Sequence, residues 1–248
     1  SGETVKHLLK EIGDLIAKLK KNPNDRDVQD ALDRALQNLA NITLVPGLVD
    51  SAGAADIAHA VADLLTLLSG LPNDNPAKSR LLTKAAQALG RLPLVEGVTF
   101  DESEALKRLI EALRANPDDA NVVENVLHAL ANLLTGPKAL KTLAALGGID
   151  DVMRVLATAA DDPKLREAAE RVLAKAMEVA EQDPANLDPA ALAALLEASD
   201  SASLRDFLRR MAHKGGIPVM IKALGVDSNG EATADLLRAL REHQEGMM

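Results

Sequence analysis

The chain has no cysteine, no tryptophan and no tyrosine, and only two phenylalanines, Phe100 and Phe207, in 248 residues. Without cysteine there is no disulfide framework, no thiol nucleophile and no thiolate zinc site. The residues that favour strands are scarce too, because aromatics are nearly absent and alternating Val/Ile runs are missing. No stretch approaches 18 uninterrupted apolar residues, and the N-terminus has no basic region leading into an apolar one, so neither a membrane span nor a signal peptide is expected. An excess of cations is also missing. The net charge is −9, which argues against nucleic acid or an anionic membrane surface as partner. These absences leave a cytoplasmic location as the expectation for a natural chain. Lack of Tyr, Trp and Cys over this length also fits an engineered sequence. The irregular loops 43–53 and 92–100 pull the other way, since an idealised array has no use for them.

Alanine and leucine are abundant, and both lie high on the helix-propensity scale. The class expected is all-α. From Glu3 to Lys21, apolar residues at Val5, Leu8, Leu9, Ile12, Leu15, Ile16 and Leu19 form one stripe at helical spacing. Asn22-Pro23-Asn24-Asp25 ends this helix and caps a second, Asp27 to Ala40. The same turn chemistry returns at Asn116-Pro117-Asp118-Asp119, Asp161-Asp162-Pro163 and Asp227-Ser228-Asn229-Gly230. The connector Leu44-Val45-Pro46-Gly47-Leu48-Val49 is echoed by Leu94-Val95-Glu96-Gly97-Val98, 50 positions later (94 − 44). Such recurrence marks a helical repeat, in which one hairpin buries its second apolar face only against a neighbour.

The clearest unit is Gly136–Ala180, with a short, a medium and a long helix joined by Gly147-Gly148 and Asp161-Asp162-Pro163. Lys214-Gly215-Gly216-Ile217-Pro218 repeats the glycine corner, and Ala35-Leu36-Gln37-Asn38-Leu39 and Ala129-Leu130-Ala131-Asn132-Leu133 share an Ala-Leu-x-Asn-Leu phrase. In these features the chain resembles the armadillo repeat family, with HEAT repeats as the nearest confusable class. The resemblance implies an armadillo/HEAT-like right-handed α-solenoid over residues 3–243, in approximate units 3–41, 42–92, 93–135, 136–180 and 201–243. An irregular insertion would occupy 181–200. Residues 1–2 read as a tag remnant and 244–248 as a frayed tail.

The resemblance further implies a concave groove lined by each unit's third helix, where an Asn amide grips the main chain of an extended peptide. The matching positions here are Asn38, Arg91, Asn132, Lys175 and Glu242, so two of five keep Asn. One turn earlier, where the family often carries Trp, stand Arg34, Gln87, His128, Arg171 and Arg238. A rather basic strip on an acidic molecule would suit an acidic or C-terminal-carboxylate peptide. The alternative is that these are solvated charges on helix faces. The function expected is therefore a non-enzymatic protein- or peptide-binding scaffold. A structural protein that self-associates through its ends or convex face is the other reading, with a monomer favoured. No cofactor and no metal is expected, because the five histidines show no i, i+4 pair, and the Asp/Glu clusters sit where helix N-caps belong.

Overall fold

In a computed structural model that describes residues 2–226 and 230–247, every element is helical and no strand occurs among the described residues. The chain divides into two compact units, Ser1–Leu133 and Leu134–Met248.

The first unit holds α1 (Gly2–Lys21), α2 (Arg26–Ile42), α3 (Ser51–Ser69), α4 (Lys78–Arg91), α5 (Ser103–Ala115) and α6 (Ala120–Leu133). Side-chain caps start these helices where the sequence places short acids. Asp25 accepts from the N–H groups of Asp27 and Val28, Asp50 from Gly53, and Asp119 from Val122. The six helices form three hairpins, α1–α2, α3–α4 and α5–α6. Stacking puts α1, α3 and α5 in one layer and α2, α4 and α6 in the other. Between them lies a leucine and alanine core that includes Ile12, Leu32, Ile57, Leu65, Leu82 and Leu127, each at most 1% exposed. Helix α3 is long and apolar enough, by length and composition, to cross a membrane. Here it packs against α1, α4 and α5, and being buried on several sides accounts for its composition.

The two echoing connectors adopt one conformation. Leu48 N–H bonds to Val45 O and Val98 N–H to Val95 O, both at 3.2 Å, with Gly47 at φ 75 and Gly97 at φ 76. This is a type II turn, which needs a left-handed third residue and accepts Pro46 at the second. Thr99 N–H donates to Ser51 Oγ at 3.0 Å and ties the second connector to the start of α3.

On the α1/α3/α5 layer, His59 Nδ1 lies 3.0 Å from Glu104 Oε2, and its Nε2 lies 3.8 Å from Asp63. The hydrogen bond to Glu104 and its charge raise the His59 pKa above 6.5. Because the folded value is raised, the small stabilisation from this exposed pair is full below the ordinary imidazole value. It fades as pH rises through the raised one. A histidine NMR titration should show His59 protonating above its ordinary value and moving back towards it in Glu104→Gln. An unchanged midpoint in that variant would contradict the assignment.

The second unit holds α7 (Pro137–Ala145), α8 (Gly148–Thr158), α9 (Pro163–Gln182), α10 (Pro189–Ala198), α11 (Ser201–His213), α12 (Ile217–Leu224) and α13 (Gly230–Met247). Asp162, Asp188 and Asp200 cap α9, α10 and α11, with Pro163 and Pro189 at first helical positions. Stretch 181–200, expected as an irregular insertion with a short Ala/Leu helix from Ala190 to Ala198 capped by Asp188, contains α10. This helix packs against α7, α8, α9, α12 and α13, with Leu192, Leu195 and Leu196 at most 3% exposed. An Ala/Leu helix apolar on nearly all sides is a core helix, and that is why its sequence shows little amphipathic contrast. Helix α13 runs through Gln244 to Met247, beyond the frayed end expected there. The turn anticipated at Asp227-Ser228-Asn229-Gly230 lies mostly outside the described residues, as does Ser1.

Each unit-2 glycine pair divides its labour. Gly147 (φ 76) and Gly215 (φ 83) are left-handed residues that end α7 and α11. Gly216 N–H then bonds to Met211 O at 2.8 Å, the six-to-one bond of a Schellman motif. A Cβ on Gly216 would stand 2.7 Å from that same oxygen, and one on Gly148 would stand 2.3 Å from Leu143 Cδ1. The first glycine supplies the dihedral and the second the room.

Candidate functional site

Six of the ten candidate residues fall on α2, α4 and α6, consecutive helices of one layer in the first unit. Four of them, Gln87 and Arg91 on α4 and His128 and Asn132 on α6, line one cleft of about 250 Å³ together with Asn125. Arg34 and Asn38 are exposed on α2 and outside that cleft.

The cleft floor is set by how closely α4 and α6 approach. A Cβ on Gly90 would stand 3.0 Å from Ala129 Cα, a contact so tight that the two helices would have to move apart by a few tenths of an ångström to admit it. Asn132 Nδ2 then donates to Gly90 O at 3.0 Å. That carbonyl belongs to the last turn of α4, where oxygens lack an intrahelical partner. One amide donor of Asn132 thus staples α6 to the end of α4. Asn132→Ala should therefore lower stability by about 1 kcal/mol, the typical net worth of such a bond. Chemical denaturation measures it, and an unchanged midpoint would show the staple to be idle.

A second cross-helix bond runs from Gln87 Nε2 to Asn125 Oδ1 at 3.0 Å, and Asn125 Nδ2 donates to Asn121 O at 2.7 Å. His128 Nε2 lies 3.9 Å from Glu124 Oε1. Arg91 is half-buried and has no ion-pair partner among the described residues. Towards the start of α4, Arg80 and Lys84 both pair with Asp33 on α2, and Lys78 donates to the neutral Asn73 Oδ1 at 2.8 Å. At the other end of α4, Arg91 stands beside His128, and Arg34 on α2 likewise has no ion pair among the described residues.

In the second unit, Arg171 and Lys175 lie on α9, and Arg238 and Glu242 on α13. These helices do not face each other directly as neighbouring ladder rungs. Helix α11 packs against both and inserts Arg205 and Arg209 into the series. In the expected unit 201–243, α11 precedes the glycine corner and so stands where a unit's opening helix belongs. Its 13 residues and its stripe of Leu204, Phe207, Leu208 and Met211, all buried, are the signals of a core-packed helix lying between α9 and α13.

The basic strip anticipated here is interleaved with acids. Lys175 lies 3.8 Å from Glu178, Arg238 3.5 Å from Asp235, and Arg209 3.8 Å from Glu242 and 3.9 Å from Asp206. Such exposed pairs contribute little to stability but neutralise the local field. One further grouping escaped the sequence, the approach of His213 and His243 across α11 and α13. Among the described residues no set of three His, Asp or Glu side chains converges as a metal cage. Compared with known proteins, the chain matches no protein-family model and no curated protein.

Proposed function

We propose that this chain is a non-enzymatic protein- or peptide-binding α-solenoid of the armadillo or HEAT kind. Its ligand face in the first unit is the α2/α4/α6 layer. The observation that carries the reading is the α4/α6 cleft, where an unpaired guanidinium, an imidazole and a run of side-chain amides meet. Amides can donate to and accept from an extended main chain, and Arg91 offers a bidentate fork for a carboxylate. An extended peptide with an acidic side chain or a terminal carboxylate is the ligand of matching chemistry.

The layered stacking of hairpins in the first unit supports the repeat reading, and two helices per hairpin there lean towards the HEAT pattern. The α7–α8–α9 triplet with its glycine corner in the second unit leans towards the armadillo pattern.

The test is a peptide-display selection with the intact chain as bait, followed by affinity measurement on variants. Arg91→Glu should weaken a selected peptide by about tenfold or more, through lost attraction and added repulsion. Lys107→Glu, an exposed change on α5 in the opposite layer, should leave affinity within about twofold. Equal effects of the two variants would count against the α4/α6 face.

A second reading, self-association, is favoured by one observation. Ile221, Val226 and Leu237 of the second unit are 55%, 52% and 42% exposed. Light scattering after size exclusion distinguishes it, since a dominant dimer that Leu237→Glu converts to monomer would support assembly.

A further inference from the structure

The geometry points to a two-histidine site for a transition-metal ion between α11 and α13, with His213 and His243 as its protein ligands. Their ring centroids are 5.3 Å apart and their planes cross at 70°. A first-row divalent ion bonds an imidazole nitrogen at about 2.0–2.1 Å, which puts it about 3.2 Å from the ring centre. Two imidazoles on one ion at a tetrahedral angle therefore have centroids about 5.2 Å apart. The rings already stand at that separation on two packed helices, and rotation of the side chains would turn a nitrogen of each towards a common point.

An edge-to-face ring contact would explain the spacing alone. It does not explain the second observation, that His243 Nδ1 is buried and has no hydrogen-bond partner. A neutral imidazole nitrogen left without a partner is a lone pair or a proton held out of solvent, and coordination is one way to satisfy it. Third, a cleft of about 190 Å³ opens on the pair, bounded by Arg209, Ala212, Ala239 and Glu242. Alanine walls leave space there for an ion and its water ligands.

Since no third protein ligand converges among the described residues, water completes the coordination shell and the site is weaker than a three-ligand centre. Nitrogen ligands with open water positions favour Cu²⁺ over Ni²⁺ in affinity, following the general order for divalent ions. An ion bound here bridges the last helix to its neighbour and so stabilises the folded form by mass action.

The other three histidines, His7, His59 and His128, provide internal controls in a single experiment. Untagged protein is titrated with NiCl₂ while the histidine ring signals are followed by carbon–proton NMR. Paramagnetic Ni²⁺ should broaden His213 and His243 together, before His7, His59 and His128, with one ion per chain by calorimetry. In His213→Ala the preferential broadening of His243 should disappear, and about tenfold more Ni²⁺ should be needed for any effect on it. His7→Ala should change nothing at the pair. Both histidine positions are at least partly exposed, and circular dichroism confirms that the variants fold. Simultaneous broadening of all five rings, or selective broadening of His243 that survives His213→Ala, would overturn the proposal.

Discussion

Phe207→Ala should destabilise the chain by about 3–5 kcal/mol, the largest single-residue loss expected anywhere in it. Phe207 is fully buried on α11, which packs against both α9 and α13. The buried side chains of the second unit are mostly alanines, leucines and valines, with Met211 one turn along α11 and Met220 on α12, and none replaces the volume of a phenyl ring. The cost therefore combines lost transfer energy with an unfilled cavity. The other phenylalanine is the control. Phe100 is only partly buried in a connector, and Phe100→Ala should cost about 1 kcal/mol or less. Denaturant midpoints at constant slope give both numbers. Equal losses would mean that α11 is not a core helix.

The second large effect is at the glycine corners, where two adjacent glycines should fail in different ways. In Gly216→Ala the new methyl meets the Met211 carbonyl at 2.7 Å, and a backbone oxygen cannot move without breaking the helix cap. Overpacking of that kind costs about 1–3 kcal/mol. Gly215→Ala meets open space but must hold φ 83, which costs an L-residue about 1–2 kcal/mol. Asparagine, which tolerates the left-handed region, should recover part of the loss at Gly215 and none of it at Gly216. The rescue pattern separates dihedral strain from crowding, and thermal unfolding of the four variants reads it. Rescue by Asn at both positions, or at neither, would contradict the division of labour.

Much of the fold was legible because it is written in local chemistry. Asp25, Asp162 and Asp188 each precede a helix they cap, and the turn at Val45-Pro46-Gly47-Leu48 announces its own type. What the sequence hid is what neighbours decide. Helix α10 has too little polarity contrast to show a face, so its place in the core could not be read from periodicity. Helix α11 was recognised as a helix but not as a rung between α9 and α13, since that depends on packing.

The candidate site shows the same limit. A shared register puts Gln87 and Arg91 on one face of α4 and His128 and Asn132 on one face of α6, and the four line one cleft. That Asn132 spends a donor on Gly90 depends on a close approach set by Gly90 and Ala129, residues with no polar signal. His213 and His243 are 30 positions apart (243 − 213), so no local motif could have paired them.

The central claim is that the α4/α6 cleft is where this chain meets an extended peptide. Amide NMR of the intact chain, titrated with a display-selected acidic peptide, tests it most directly. The account predicts shifts concentrated at Gln87, Arg91, Asn125 and His128, saturating with one peptide and absent in Arg91→Glu. Shifts centred instead on α1, α3 and α5, and unaltered in Arg91→Glu, would contradict it.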